Sequence, residues 1–195
     1  MYGIPKTNFH LNPNNKVFQL FWEESKIEFA SSFYYFEKAT KYQRLIHYLK
    51  YEGEKELALM LGKLFAADLQ KCACFKNIDF IVPIPLHPTR ERKRGYNQSF
   101  WFAKGLAEIM NKPIDTKSVC RKKNTTTQTQ KNKEDRQKNM KDAFFIQNES
   151  AINNKHILLV DDVITTGSTL KECAKTILEK KGTKVSIATL AYAGN

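Results

Sequence analysis

An α/β domain with a mostly parallel sheet flanked by helices follows from three features of the sequence. Four consecutive apolar residues, Ile157 to Val160, suit a strand buried on both faces, as strands of a parallel sheet are. A second short apolar strand, Ile78 to Val82, precedes a helical stretch that runs through Met110. A third, Val185 to Leu190, follows a helix at 170–181 whose apolar face is Leu170, Cys173, Ala174, Ile177 and Leu178, and it is expected to return to the sheet.

The chain opens irregularly. Met1 to Lys16 holds Pro5, Pro13 and several Asn with little periodicity, and residues 1–30 are expected to pack on the core as an N-terminal segment, ahead of one domain over 31–195. Val17 to Trp22 and Ile27 to Phe36 are aromatic-rich and predict strands, the second as a hairpin arm covering an apolar surface. Tyr42 to Tyr51 turns helical and Gly53 breaks it. From Glu54 to Leu69 the apolar positions Leu57, Leu61, Leu64, Phe65 and Leu69 recur at helical spacing, a face read as core packing. After Ile78 to Val82, the residues Pro83, Pro85 and Pro88 end the strand in a stiff loop, because proline cannot continue a central ladder. Arg90, Arg92, Lys93 and Arg94 follow, and Gly95-Tyr96-Asn97-Gln98 opens the next helix. From Asp115 to Asn154 the chain is polar and basic, with strand-like pieces at Lys117 to Arg121 and Ala143 to Gln147. Between them a loop over about 121–142 is too polar to bury and is expected to be flexible.

With 195 residues the chain suits one domain with a core of ordinary size. No run approaches the roughly 18 apolar residues that span a bilayer, and the N-terminus lacks a secretory pattern, so no membrane contact and a cytoplasmic location are expected. Cys72, Cys74, Cys120 and Cys173 are few and scattered; Cys72-Ala-Cys74 is poor spacing for zinc, and the residues are read as reduced thiols. A net charge of +12 favours anionic partners, whether phosphorylated metabolites or nucleic acid.

The chemistry is concentrated after Val160. Asp161 and Asp162 stand where the strand is expected to run out, and open α/β sheets bind ligands at the carboxyl ends of their strands. Thr165-Thr166-Gly167-Ser168-Thr169 then leads into a helix. Its first-turn N–H groups and hydroxyls make an anion site, and Gly167 lets a phosphate approach the backbone. The carboxylates must face something else, either vicinal hydroxyls or a hydrated Mg²⁺. A ribose 5-phosphate has that layout. Farther up the chain, the proline-rich loop and the clustered guanidinium groups offer backbone donors and charge for a diphosphate.

The run Ile157 to Thr169 resembles the loop that binds phosphoribosyl pyrophosphate (PRPP) in type I phosphoribosyltransferases. The resemblance implies that fold, with Asp161 and Asp162 as ribose ligands and Thr165, Thr166, Gly167, Ser168 and Thr169 around the 5-phosphate. It also implies a pyrophosphate-binding loop at Pro83, Ile84, Pro85 and Leu86, with Arg90, Arg92 and Arg94 as diphosphate contacts. The wording Val-Pro-Ile-Pro-Leu-His-Pro, with Arg-Gly-Tyr-Asn-Gln downstream, is similar to the ComF/GntX branch, linked to DNA uptake and DNA use in bacteria. Thr125, Gln128, Arg136, Asn139 and Ala143-Phe144 extend the likeness, while Lys131 departs from it where an apolar residue is expected. The loop would then be a hood that closes over PRPP, with Arg121, Lys123 and Arg136 contributing, and it would exclude water. His87 is read as a structural hydrogen-bonding residue. Members of this branch commonly begin with a four-cysteine zinc ribbon; Met1 stands where that module would end, which fits either a naturally short member or a shortened chain.

What the resemblance implies is Mg²⁺-dependent transfer of a phosphoribosyl group from PRPP to an acceptor that no motif identifies. Thr165 occupies the place where purine-salvage members carry an acid, which weighs against hypoxanthine or guanine as acceptor. Glutamine-dependent transfer would need a glutaminase domain that is missing. The alternative is a non-catalytic or regulatory competence factor that binds single-stranded DNA and a helicase partner, with Tyr96, Phe100, Trp101 and Phe102 among the basic residues as possible stacking surfaces.

Overall fold

The computed structural model describes residues 5–22, 27–36, 55–86, 92, 95–122 and 143–194. Its strands are β1 (Ile27–Tyr35), β2 (Phe80–Pro83), β3 (Val119–Arg121), β4 (Phe144–Ile146), β5 (His156–Ile164) and β6 (Lys184–Tyr192). The helices are α1 (Lys16–Gln19), α2 (Lys55–Leu69), α3 (Gln98–Met110), α4 (Glu149–Ile152) and α5 (Ser168–Leu178). Strands β1-β6-β5-β2 form, in that order, a four-stranded sheet whose pairs are all parallel, and β3 pairs antiparallel with β4. This is the expected α/β class. The predicted helix at Tyr42 to Tyr51 lies outside the described residues.

The two central strands are apolar on both faces because both faces are covered. Ile157, Leu159, Val185 and Ile187 join a core with α5 and the β3–β4 ribbon, while Leu158, Val160, Ala188 and Leu190 join a second core with α2 and α3. On that second side Leu61, Phe65 and Leu69 of α2 are fully buried, each contributing about 2–3 kcal/mol by its burial. Helices α2 and α3 meet backbone to backbone: a Cβ on Gly62 would lie 2.2 Å from the Phe102 carbonyl oxygen, and one on Gly105 2.0 Å from that of Leu59.

Three expectations are corrected. Val17 to Trp22 is not a strand: Asn15, itself buried, accepts from the N–H groups of Val17 (2.9 Å) and Phe18 (3.0 Å) and caps the short helix α1. The Asn15 amide also donates to the Ala30 carbonyl at 2.8 Å, which fixes this turn against β1. Helical spacing then buries Val17 and Phe21 together, an i, i+4 pair that aromatic content alone does not reveal. Second, β1 is not a hairpin arm but lies parallel to β6, and its outer edge is covered by the segment around Lys6, which bridges antiparallel to Tyr34. Third, β5 does not stop before the acids; it runs through them to Ile164. A short helix, α4, follows β4 in the polar stretch, capped by Asn148, whose side chain accepts from the Ala151 N–H.

Candidate functional site

The acids lie on β5 beyond the reach of one neighbour. The β2–β5 ladder ends at Pro83 opposite Val160, with a last bond from the Ile84 N–H to the Val160 carbonyl at 2.8 Å. On its other side β5 continues beside β6, with Asp161 opposite Thr189 and Ile164 opposite Tyr192. Asp161 and Asp162 therefore stand at a notch in the sheet, held on one side and open where β2 has turned away.

Asp161 is fixed closely. Its Oδ1 accepts from the Ser99 hydroxyl at 2.8 Å and from the Asp162 backbone N–H at 2.9 Å, while Asp162 Oδ1 accepts from the Val163 N–H at 2.7 Å. Burial pushes the Asp161 carboxyl up to about 7, and the adjacent Asp162 carboxylate adds to the rise; the Ser99 and backbone bonds oppose it. On the α5 side, burial foremost and then Asp161 push the Cys173 thiol up, so that this cysteine stays a neutral core residue.

Following the strand, Thr165 and Thr166 are exposed and Gly167 is buried with φ 74°, the left-handed conformation that turns the chain into α5. The Phe21 ring closes the rear of this turn, 3.3 Å from where a Gly167 Cβ would be. Thr166 and Ser168 share a hydroxyl hydrogen bond of 2.8 Å. The first turn of an 11-residue helix and these hydroxyls face the same solvent-open turn, an arrangement suited to an anion.

The proline loop reaches the same notch through α3. Pro83 and Ile84 are buried, Pro85 and Leu86 half-buried, and the Ile84 carbonyl accepts from Asn97 Nδ2 at 3.0 Å. Asn97 caps α3 by accepting from the Ser99 N–H at 3.0 Å. The structure thus brings together Pro83 to Leu86, Asp161, Asp162 and Thr165 to Thr169. Arg92 is exposed, and Arg121 is in β3, not in the loop, with its guanidinium 5.4 Å from the Phe144 ring centroid. Arg90, Arg94, His87, Lys123, Thr125, Gln128, Lys131, Arg136 and Asn139 lie outside the described residues.

Of the aromatic residues at and just ahead of α3, Phe100 and Trp101 are half-buried. Phe102 is buried in the core, and Tyr96 is 7% exposed. The Trp101 ring carries Lys104 at 4.8 Å and Lys55 at 5.5 Å from its centroid. Sequence reasoning placed Asn97 at the opening of the helix without a role at the site and gave Ser99 none; the legible signal was a capping Asn two residues ahead of a small hydroxyl. Among the described residues no group of three or more His, Cys, Asp or Glu is placed to hold a metal, and no helix is long and apolar enough to cross a membrane.

Residues 97–195 match the family model described as a phosphoribosyl transferase domain. The chain is 32% identical over 146 residues to the DNA utilization protein YhgH of Escherichia coli K12, covering 73% of this chain and 63% of that protein. It is 34% identical over 142 residues to competence protein F of Haemophilus influenzae (71% and 62%) and 32% identical to competence protein ComFC of Bacillus subtilis (72% and 55%). It spans less than two thirds of the length of these curated relatives. Among solved structures, a hypoxanthine phosphoribosyltransferase from Staphylococcus aureus aligns with a TM-score of 0.43 at 22% identity, over 71% of this chain and 64% of that one.

Proposed function

The chain belongs to the phosphoribosyl transferase domain family, and from that premise we propose that it binds PRPP with Mg²⁺ and transfers the phosphoribosyl group to an acceptor, releasing pyrophosphate. The observation that carries the reading is the continuity of β5: one strand delivers a carboxyl pair at the sheet notch and, within five residues, a left-handed glycine at the cap of α5. A ribose bearing a 5-phosphate spans those two features.

In this reading Asp161 and Asp162 accept hydrogen bonds from the ribose hydroxyls. Thr165 to Thr169 wrap the 5-phosphate with N–H and hydroxyl donors. Pro83 to Leu86 hold the diphosphate with Arg90, Arg92 and Arg94, and Arg121, Lys123 and Arg136 serve the hood side. The carboxylate oxygens suit a hydrated Mg²⁺ held through water and ligand, which when bound supplies positive charge to the leaving diphosphate. The protein's contribution is orientation of C1 and stabilisation of the departing charge by fixed donors.

Titration calorimetry with PRPP, with and without Mg²⁺, tests this on the chain and on Asp161→Asn. Mg²⁺-dependent binding that the variant loses is the expected result. A folded protein that takes up no PRPP at millimolar concentration refutes it.

A second reading is supported by the charge of +12 and by Lys55 and Lys104 around Trp101. Here the protein serves DNA use, as the names of its relatives suggest for them, by holding single-stranded DNA and a helicase partner without turnover. DNA binding that weakens steeply with salt supports this role, and salt-insensitive or absent binding rejects it.

A further inference from the structure

We propose that the first turn of α3, through Asn97 and Ser99, is the positioning element that couples the ribose half of the site to the diphosphate half. The inference rests on the PRPP reading above and assigns residues that touch no ligand in it. Three hydrogen bonds carry it. Asn97 Nδ2 donates to the Ile84 carbonyl at 3.0 Å, Asn97 Oδ1 accepts from the Ser99 N–H at 3.0 Å, and Ser99 Oγ donates to Asp161 Oδ1 at 2.8 Å.

These bonds form one continuous path from the proline loop to the acid. Beyond the Ile84 N–H bond to the Val160 carbonyl β2 has left the sheet, and among the described residues no strand pairs with Asp161 on that side. The Ile84 N–H is held by the Val160 carbonyl, the last bond of the ladder, and the Ile84 carbonyl beyond it is anchored by the Asn97 amide. Ser99 is 3% exposed and its hydroxyl has a single acceptor in the carboxylate, which sets the direction of Asp161.

The two residues therefore act on different parts of a ligand. Ser99 acts through Asp161 on the ribose, which PRPP shares with ribose 5-phosphate. Asn97 acts through the loop on the diphosphate, which ribose 5-phosphate lacks. Ser99→Ala should weaken both ligands about tenfold, the effect of losing one hydrogen bond to a charged group. Asn97→Ser keeps a neutral capping oxygen and deletes the amide donor. It should weaken PRPP about tenfold and leave ribose 5-phosphate unchanged.

The experiment is calorimetric titration of both ligands, with Mg²⁺, into the unmodified chain and into Ser99→Ala, Ser99→Thr and Asn97→Ser, each checked for native circular dichroism. Ser99→Thr retains the hydroxyl and should restore binding. Ser99→Cys, close in shape and a poor donor, replaces Ser99→Ala if that variant does not fold. A general loosening of the helix would reduce both ligands equally in Asn97→Ser, and that result overturns the proposal. So do variants that bind as the unmodified chain does. If the unmodified chain binds no PRPP, the functional reading fails and the inference with it, a result distinct from binding that the variants leave intact.

Discussion

Replacing Asp161 by Asn should make the protein more stable at pH 8 and less able to bind its ligand. The carboxyl is held at about 7 against an ordinary 3.8, a rise of about three units or, at 1.36 kcal/mol each, about 4 kcal/mol as an upper limit. The native state keeps a proton that the unfolded chain gives up, so the unmodified protein loses stability as pH rises from about 4 to about 7, and the loss is complete above that. Asn removes the buried charge while its oxygen still accepts from Ser99. For a chain of this size 1 kcal/mol moves the melting temperature by about 2–4 °C, so a gain of several degrees is expected at pH 8, closing toward pH 4. Melting curves of both proteins by circular dichroism at several pH values measure it, and the shared ionisable groups cancel in the difference. A difference independent of pH, or a variant less stable at pH 8, would refute the assignment of a raised carboxyl. Coupled with lost PRPP binding, the gain would show a site maintained at the expense of stability.

Gly105→Ala and Gly62→Ala should each destabilise by several kcal/mol, since the added methyl meets backbone carbonyls of the opposite helix that cannot move aside; loss of soluble protein or a melting point more than about 10 °C lower checks this. Gly167→Ala forces an L-residue to φ 74° and presses on Phe21, at about 1–2 kcal/mol, and should weaken PRPP and ribose 5-phosphate alike with the fold retained. At Asp68, burial raises the carboxyl but the bonds to Lys6 (2.7 Å) and Lys71 (3.0 Å) prevail and hold it below 3.8. Its contribution is present above the unfolded value and fades as pH falls through the lowered one. Asp68→Asn should therefore melt below the unmodified chain at pH 6, by about 1 kcal/mol, and match it in strong acid.

Most of the sheet was legible because burial on both faces leaves an unbroken apolar run, as at Ile157 to Val160, and because helix α2 repeats its leucines at one period. Hydroxyls and a glycine marked the turn at 165–169. What stayed hidden depended on contacts distant in sequence. Whether Val17 to Trp22 extends or coils is decided by Asn15, whose amide needs the Ala30 carbonyl. Whether β1 runs parallel or as a hairpin is decided by β6, more than 140 residues later. Adjacent carboxylates read as the end of a strand, whereas β6 still pairs with β5 through Asp161 to Ile164. Ser99 was overlooked because its partner is 62 residues away.

The site exists because one strand is short. β2 has four residues and β5 nine, so the inner edge of β5 loses its neighbour at Val160. A carboxylate farther back would be sealed between β2 and α3, where an unpaired charge is prohibitive. Farther forward it would be on the loop, fully hydrated and free to rotate. At Asp161 it is still held by strand geometry on the β6 side, yet open at the notch, which explains a raised but titratable carboxyl. The ladder runs past Pro83, and the Ile84 N–H makes its final bond, to the Val160 carbonyl. The chain then turns back to α3, whose cap reaches both the loop and the acid.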